Sequence, residues 1–337
     1  MLADRQDALP DGPFQYEPKW DGFRALIFRD GDDLVVLSRD GKPLLRYFPE
    51  LDAPLRSALP AHAVADGEIV IARDGGLDFE TLQLRLHPAA SRINQLAAET
   101  PAQLVLWDLI ATEEDLRGRP LSERRALLET NVTPNATVTL TPATTDRAVA
   151  QGWFDRFRGS GLDGVMAKAL GGIYEPGKRT WIKVKHEHTV DAVVAGFRWH
   201  KTAPGTEVGS LVLALFDEAG ALHPIGVASS FTKKRRLSLV AELAPWRDAG
   251  AEHPWARFGD AEHRPDQHSR WSADKDLSWE PLRIGLVAEV HTTQHDGRRL
   301  RHPAHLIRFR DDKPVAQCTV DQLANPPAPE LATLWSR

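Results

Sequence analysis

Close to Thr189 the chain changes texture, and that change constrains its fold more than any other feature. Before it, strand-length apolar runs alternate with helical periodicity. After it, short strands separated by turns dominate. Residues 24–38 carry alternating apolar positions around Asp30-Gly31-Asp32-Asp33, a turn signal, and predict a hairpin. Residues 63–72 and 103–110 are apolar runs of strand length. Helices are predicted over 78–86, 91–98, 122–128 after Pro120, and 146–158 before Gly159-Ser160-Gly161. Residues 131–145, rich in Thr and Pro, read as a strand or loop crossing. Beyond the change, strands at 190–197, 209–216, 223–228 and 284–293, with one helix at 233–243, predict a small barrel. Residues 246–279 hold Trp, Arg and His without clean periodicity and read as a long surface connection. The expectation is an α+β chain of two domains, 1–188 and 189–337, each large enough for its own core.

Composition narrows the function. Cys318 is the single cysteine, so neither a disulfide framework nor a cysteine zinc site can form within one chain. The N-terminal residues lack the basic and apolar regions of a signal peptide, and no apolar run approaches the roughly 20 residues of a membrane helix. A reducing cytoplasm is the expected location. Net charge is −5, which predicts no general affinity for nucleic acid, although one basic face would suffice for it.

Lys19-Trp20-Asp21-Gly22-Phe23-Arg24 is the most informative hexapeptide. A lysine that attacks phosphorus must lose its proton, and nearby cations or burial lower its pKa. Arg24, across a turn at Gly22, offers fork geometry for a ribose or phosphate oxygen. Read alone, the segment is equally an ordinary strand-entry turn. Leu37-Ser38-Arg39-Asp40-Gly41 adds an arginine at a turn. Asp66-Gly67-Glu68-Ile69-Val70 places carboxylates at the start of a predicted strand, as a metal or ribose ligand requires, though Asp-Gly-Glu is also a common turn. In Leu106-Trp107-Asp108 a large aromatic either stacks on a purine or packs in the core. Leu162-Asp163-Gly164-Val165-Met166-Ala167-Lys168 couples carboxylate and lysine around a glycine. Trp181-Ile182-Lys183-Val184-Lys185 points two ammonium groups to one face of a strand, a pattern that on an edge strand serves solubility. His186-Glu187-His188 and His291-Thr292-Thr293-Gln294-His295 lack cysteine partners and helical spacing, which argues against zinc.

Six such stretches in this order resemble the covalent nucleotidyltransferases, the superfamily of DNA ligases, RNA ligases and mRNA capping enzymes. Residues 19–24 match its Lys-x-Asp-Gly-x-Arg motif. Over nearly the whole chain the likeness is to small stand-alone bacterial ATP-dependent DNA ligases of the LigC type and to the ligase domain of LigD. Arg301-His302-Pro303, Arg308-Phe309-Arg310-Asp311-Asp312-Lys313 and Cys318-Thr319-Val320-Asp321-Gln322-Leu323 carry it most specifically. The resemblance implies a nucleotidyltransferase domain, ATP-grasp-like with antiparallel sheets and helices, followed by a β-barrel OB-fold. It implies that Lys19 takes up AMP from ATP, with Mg²⁺ or Mn²⁺ as cofactor. Arg24 and Arg39 then bind the ribose side and later a 5′-phosphate, Glu68 the ribose hydroxyl or a metal, and Asp163 a metal directly or through water. Trp107 stacks on adenine, Lys183 and Lys185 contact the α-phosphate, and Lys168 belongs to the same electropositive wall. Glu17, two residues before Lys19, joins the nucleotide-binding set. Arg310, Asp312 and Lys313 match an Arg-x-Asp-Lys motif that orients pyrophosphate. Two positions depart from the pattern: Trp107 stands where Phe or Tyr is commoner, and Asp163 where many relatives have Glu.

The implied partner is nicked duplex DNA, bound without sequence preference by a monomer that acts in repair, associates with the nucleoid and works with accessory repair proteins rather than at a membrane. Thr232-Lys233-Lys234-Arg235-Arg236, Gly297-Arg298-Arg299-Leu300-Arg301 and Lys178-Arg179 are candidate phosphate contacts, or else solvated surface runs. A pyrophosphate motif so far in sequence from Lys19 implies domain closure, with a hinge expected near 185–190. A capping enzyme would use GTP and lack the His-Pro and Cys-x-x-Asp-Gln-Leu features. An RNA ligase usually lacks this OB domain, and an OB protein that only binds nucleic acid needs no ordered Lys, Glu and Lys-pair set.

Overall fold

Two strands that the apolar pattern does not announce, Leu2–Gln6 (β1) and Phe14–Lys19 (β2), open the chain. The computed structural model describes residues 1–337 apart from 74, 158–159, 187, 248–252, 258–276, 293–294, 297–298, 325–330, 332–333 and 335–337. The predicted hairpin follows as Phe23–Asp30 (β3) and Asp33–Ser38 (β4), paired from Ala25↔Ser38 to Asp30↔Asp33. Next come Asp52–Ala58 (α1), His62–Val70 (β5), the short pair Ala72–Arg73 (β6) and Gly76–Leu77 (β7), and Phe79–Leu84 (α2). Asp78 caps α2 by accepting the Thr81 N–H at 2.9 Å. Ala90–Glu99 (α3), Gln103–Ala111 (β8), Leu121–Asn131 (α4), Val138–Leu140 (β9) and Arg147–Arg156 (α5) lead to Gly164–Ala169 (β10) and Arg179–Lys185 (β11). α4 runs three residues past its expected end, to Asn131.

These elements form the first of two compact units, residues 1–186 with 325–337. It holds two sheets, one ordered β1-β11-β10-β2 and one β4-β3-β5-β8-β9. On one side of the five-stranded sheet, Ile27, Leu51, Leu55, Ile69, Leu104 and Leu128 form a core with the helices. Each such aliphatic side chain contributes about 1.5–3 kcal/mol on burial. A second cluster gathers Met1, Trp20, Val105, Trp107, Trp181, Leu331 and Leu334. Buried Arg124 holds buried Asp108 in a bidentate pair at 2.8 and 2.9 Å and also donates to the carbonyls of Arg119 and Gly172.

Three expectations change here. Asp66 lies inside β5 rather than at its start, since the strand reaches back to His62. β11 is not an edge strand: it sits between β1 and β10. The tail does not go with the second unit, as a 189–337 domain would have it. Leu331 donates its N–H to the Gly75 carbonyl at 2.9 Å, and Leu331 and Leu334 are buried in the first unit.

The second unit, residues 187–324, contains His188–His200 (β12), Ala203–Phe216 (β13), Leu222–Ala228 (β14), Lys233–Leu243 (α6) and Pro254–Arg257 (α7). Glu280–Pro281 (β15), Val287–Thr292 (β16), His295–Asp296 (β17), Arg299–Leu300 (β18) and His305–Phe309 (β19) complete it. Its main sheet is antiparallel in the order β14-β13-β12-β16-β19, with β15 added to β12. Register shifts along β12–β13 mark bulges, which bend and twist a sheet of this kind. β19 was missed because its Ile307 and Arg308 face solvent. The expected surface connection over 246–279 lies largely outside the described residues. Its described tryptophans are not surface residues: Trp255 is buried in the core, and Trp246 and Trp279 pack against it. Among the described residues no helix is long and apolar enough to cross a membrane.

Candidate active site

The four-stranded sheet aligns the chemistry in rows. Gly164 in β10 pairs with Lys19 in β2 and with Lys185 in β11, so the two lysines flank a residue without a side chain. Two residues along, on the same face, Met166 pairs with Glu17 and with Lys183. Glycine is required at 164: its φ is +142°, and a Cβ there would lie 2.0 Å from the Val184 carbonyl oxygen. The turn before it is tied to β2 by the Asp163 N–H, which donates to the Lys19 carbonyl at 2.9 Å. Gly22 is similarly forced, because a Cβ would lie 2.1 Å from the Ile69 oxygen. Its N–H donates to Glu68 at 3.1 Å.

A cavity of about 370 Å³ opens over these rows. Its walls include Glu17, Lys19, Arg24, Arg39, Glu68, Trp107, Lys168, Lys183 and Lys185, nine of the residues expected from sequence. Asp163 touches the site through its carboxylate, which is 3% exposed. One of its oxygens lies 2.5 Å from Lys19 Nζ and 2.6 Å from Lys185 Nζ. Burial of Lys19 works to lower its pKa, but the charge and hydrogen bond of Asp163, with Glu68 and Asp21, outweigh it and hold the ammonium above its ordinary value. The expected lowering is therefore corrected: the nearest partner is an anion. Burial would raise the Asp163 carboxyl, yet Lys19 and Lys185 hold it below its ordinary value. Burial, and then Lys185, Lys19 and Arg179, push the Lys183 ammonium down.

Other expected roles are reshaped by pairing. The Arg24 fork is filled by Asp66, at 2.9 and 2.6 Å, with further donation to the Met1 carbonyl. The Tyr174 hydroxyl donates to the same Asp66 at 2.9 Å. Arg39 is exposed and 3.6 Å from Asp40. Lys168 does not extend an electropositive wall, because it is buried on Glu17 at 2.6 Å. Its ammonium lies 4.3 Å from the Trp181 ring centre and 5.3 Å from that of Trp107. The Trp181 ring stands at 87° to Trp107, with centroids 6.5 Å apart. Trp181 had no assigned role, although its spacing from Lys183 and Lys185 already places it on their face. Trp107 Nε1 is buried without a hydrogen-bond partner, an unmet donor beside the cavity. Burial, opposed by Lys19, pushes the Glu68 carboxyl up to about 8.

In the second unit, Asp312 accepts from Arg310 at 2.8 and 2.7 Å. Lys313 Nζ lies 3.4 Å from Asp191. Asp191 and Glu289 were not anticipated; their signal is a lone carboxylate within each apolar strand. Of the basic runs, Lys178 pairs with Glu175 at 2.5 Å and Arg235 with Glu242 at 2.5 Å, while Arg179 lines the cavity and Gly297 and Arg298 lie outside the described residues. Among the described residues, no group of three or more His, Cys, Asp or Glu could hold a metal. His186 is hydrogen-bonded to the Phe154 carbonyl at 2.6 Å.

Residues 1–185 match the profile of the ATP dependent DNA ligase domain, and residues 204–313 that of the ATP dependent DNA ligase C terminal region. The chain is 48% identical to DNA ligase C2 of Mycolicibacterium smegmatis over 335 residues, 97% of this chain and 94% of that protein. It is 46% identical to DNA ligase C of Mycobacterium tuberculosis over 336 residues, 97% of this chain and 93% of that protein. A solved Lig E DNA ligase aligns with a TM-score of 0.56 at 18% identity, over 92% of this chain and 98% of that one, a likeness of fold. The two profile matches correspond to a nucleotidyltransferase domain followed by a C-terminal OB-fold domain.

Proposed function

The chain belongs to the ATP-dependent DNA ligase family, and on that premise we propose that it seals 5′-phosphate/3′-hydroxyl nicks in duplex DNA during repair, through AMP carried on Lys19. The observation that carries the reading is the row Lys19–Gly164–Lys185, which sets a cavity-facing lysine beside a second cation and a shared carboxylate. Nucleotidyl transfer needs positioning and charge neutralisation more than covalent assistance, and this row supplies both.

Trp107 and Met166, which line the cavity, would serve as a platform for the adenosine, and Glu68 on the same cavity would meet a ribose hydroxyl. Lys183 and Lys185 face the α-phosphate. As phosphate draws Lys185 away from Asp163, that carboxylate is left to accept the proton from Lys19 Nζ. The nitrogen lone pair then forms a bond to the α-phosphorus, the bond to the bridging β-oxygen breaks, and pyrophosphate leaves. A 5′-phosphate oxygen of the nick next displaces Lys19 from phosphorus, and the 3′-hydroxyl finally displaces AMP. Arg310, Asp312 and Lys313 orient the departing pyrophosphate when the second unit closes for the first step.

The carboxylates of Asp163 and Glu68 are hard oxygen donors, which suit a magnesium or manganese ion completed by water and phosphate oxygens. Bound there, the ion would offset phosphate charge. The test is incubation with α-labelled ATP or GTP followed by denaturation. Label from ATP that survives denaturation in the wild type and is absent in Lys19→Ala is expected. No label, or label retained by Lys19→Ala, would remove Lys19 from this role. Nicked duplexes with DNA or RNA strands then define the substrate.

A further inference from the structure

Asp191 in β12 lies directly opposite Glu289 in β16, and Glu289 lies opposite Arg308 in β19. Two carboxylates facing each other across neighbouring strands repel unless a cation sits between them. Arg308 pairs with Glu289 at 2.7 Å, and Arg310 is the cation that reaches both carboxylates: its Nη1 lies 3.3 Å from Asp191 and 3.8 Å from Glu289. Asp191 reaches Arg310 through one oxygen and Lys313, at 3.4 Å, through the other. The backbone that carries this carboxylate is itself clamped. Gln322 accepts the Asp191 N–H at 2.9 Å and donates to the Asp191 carbonyl at 3.1 Å. Asp312 takes the Nε and Nη2 edge of the same guanidinium.

A guanidinium has five N–H groups. Asp312 and Asp191 occupy three of them, which leaves one N–H on each Nη for a further acceptor. We propose that Asp191 is a positioning residue that aims this remaining fork of Arg310, together with Lys313, at the departing pyrophosphate. The inference rests on the proposed role of Arg310 in lysine adenylylation. It assigns no contact between Asp191 and substrate. Its carboxylate would repel pyrophosphate, so it acts only through the two cations that it holds.

The steps of the reaction separate this role from a structural one. Asp191→Asn, which keeps the shape and removes the charge, should slow formation of labelled enzyme by about 10- to 100-fold, the usual effect of a small misplacement of a catalytic group. It should raise the concentration of inorganic pyrophosphate needed to reverse that step. Joining of a nick already carrying AMP should stay within about twofold of wild type, since no pyrophosphate is involved. Asp191→Glu should recover part of the first step. Unchanged labelling in Asp191→Asn, with Arg310→Ala impaired, overturns the inference alone. Equal losses in labelling and in joining, without recovery in Asp191→Glu, overturn it by showing a general structural defect. Normal labelling in Arg310→Ala overturns the Arg310 reading itself, and this inference with it.

Discussion

Asp163 sets the state in which Lys19 waits. With an anion 2.5 Å away the ammonium is held charged, so on the proposed route Lys19 becomes a nucleophile only once Lys185 has left and Asp163 takes its proton. Glu68 faces the opposite condition. Its carboxyl titrates at about 8 in the folded chain, against an ordinary 4.5. Below the lower value both folded and unfolded forms are protonated, and above the higher one both are charged. Between them the folded form binds more protons, so stability falls as pH rises from about 4.5 to about 8. Glu68→Gln removes that slope and keeps an oxygen for the Gly22 N–H. In metal-free buffer its Tm should exceed that of wild type at pH 8.5 and approach it towards pH 4.5. Each kcal/mol regained is worth about 2–4 °C. A difference independent of pH would mean that another group sets the slope. The identity of these residues was legible because each stands in a short motif, but their pairing was not. Nothing local in sequence says that Asp66 fills the Arg24 fork or that Glu17 neutralises Lys168, because those partners lie 42 and 151 residues away.

At the scale of elements, β2 and β10 carry the site, and β2 shows why periodicity missed them. Its Gln15 and Glu17 are buried but polar, with Gln15 donating to Glu17 at 2.7 Å and Lys168 closing the group. A strand that buries a satisfied polar network has no apolar alternation to read. The hairpin at residues 30–33 and the helix over Lys233–Leu243 were legible because turn chemistry and N-cap residues act over a few positions. In β10 the decisive residue is Gly164. Gly164→Ala would force a Cβ to 2.0 Å from the Val184 oxygen and so break the β10–β11 register. It should lower stability by about 2–4 kcal/mol in denaturant unfolding. It should also cut lysine labelling more than the lost folded fraction explains, because Lys19 and Lys185 would no longer share a row. Labelling that simply tracks the folded fraction would make Gly164 structural only.

For the whole molecule, net charge opposes DNA while local clusters invite it, and two of those three clusters are partly neutralised in place. Binding to a nicked duplex should therefore weaken steeply with salt, by at least about tenfold between 50 and 200 mM, with no dependence on sequence. Retained affinity at high salt would point to base contacts instead. The tail, whose return no local signal predicts, should matter for the first unit. Leu331→Ala removes a side chain 1% exposed and should cost about 2–5 kcal/mol, seen as early loss of labelling competence on heating. An unchanged thermal profile would mean that the tail rests on the surface without holding it. That return also bears on how the protein is made. A ribosome releases Met1, Trp20, Trp107 and Trp181 long before Leu331 and Leu334, yet all six belong to one cluster. During synthesis that cluster stays incomplete until residues 331–334 have emerged, so a product truncated before them would expose tryptophans that the finished first unit buries.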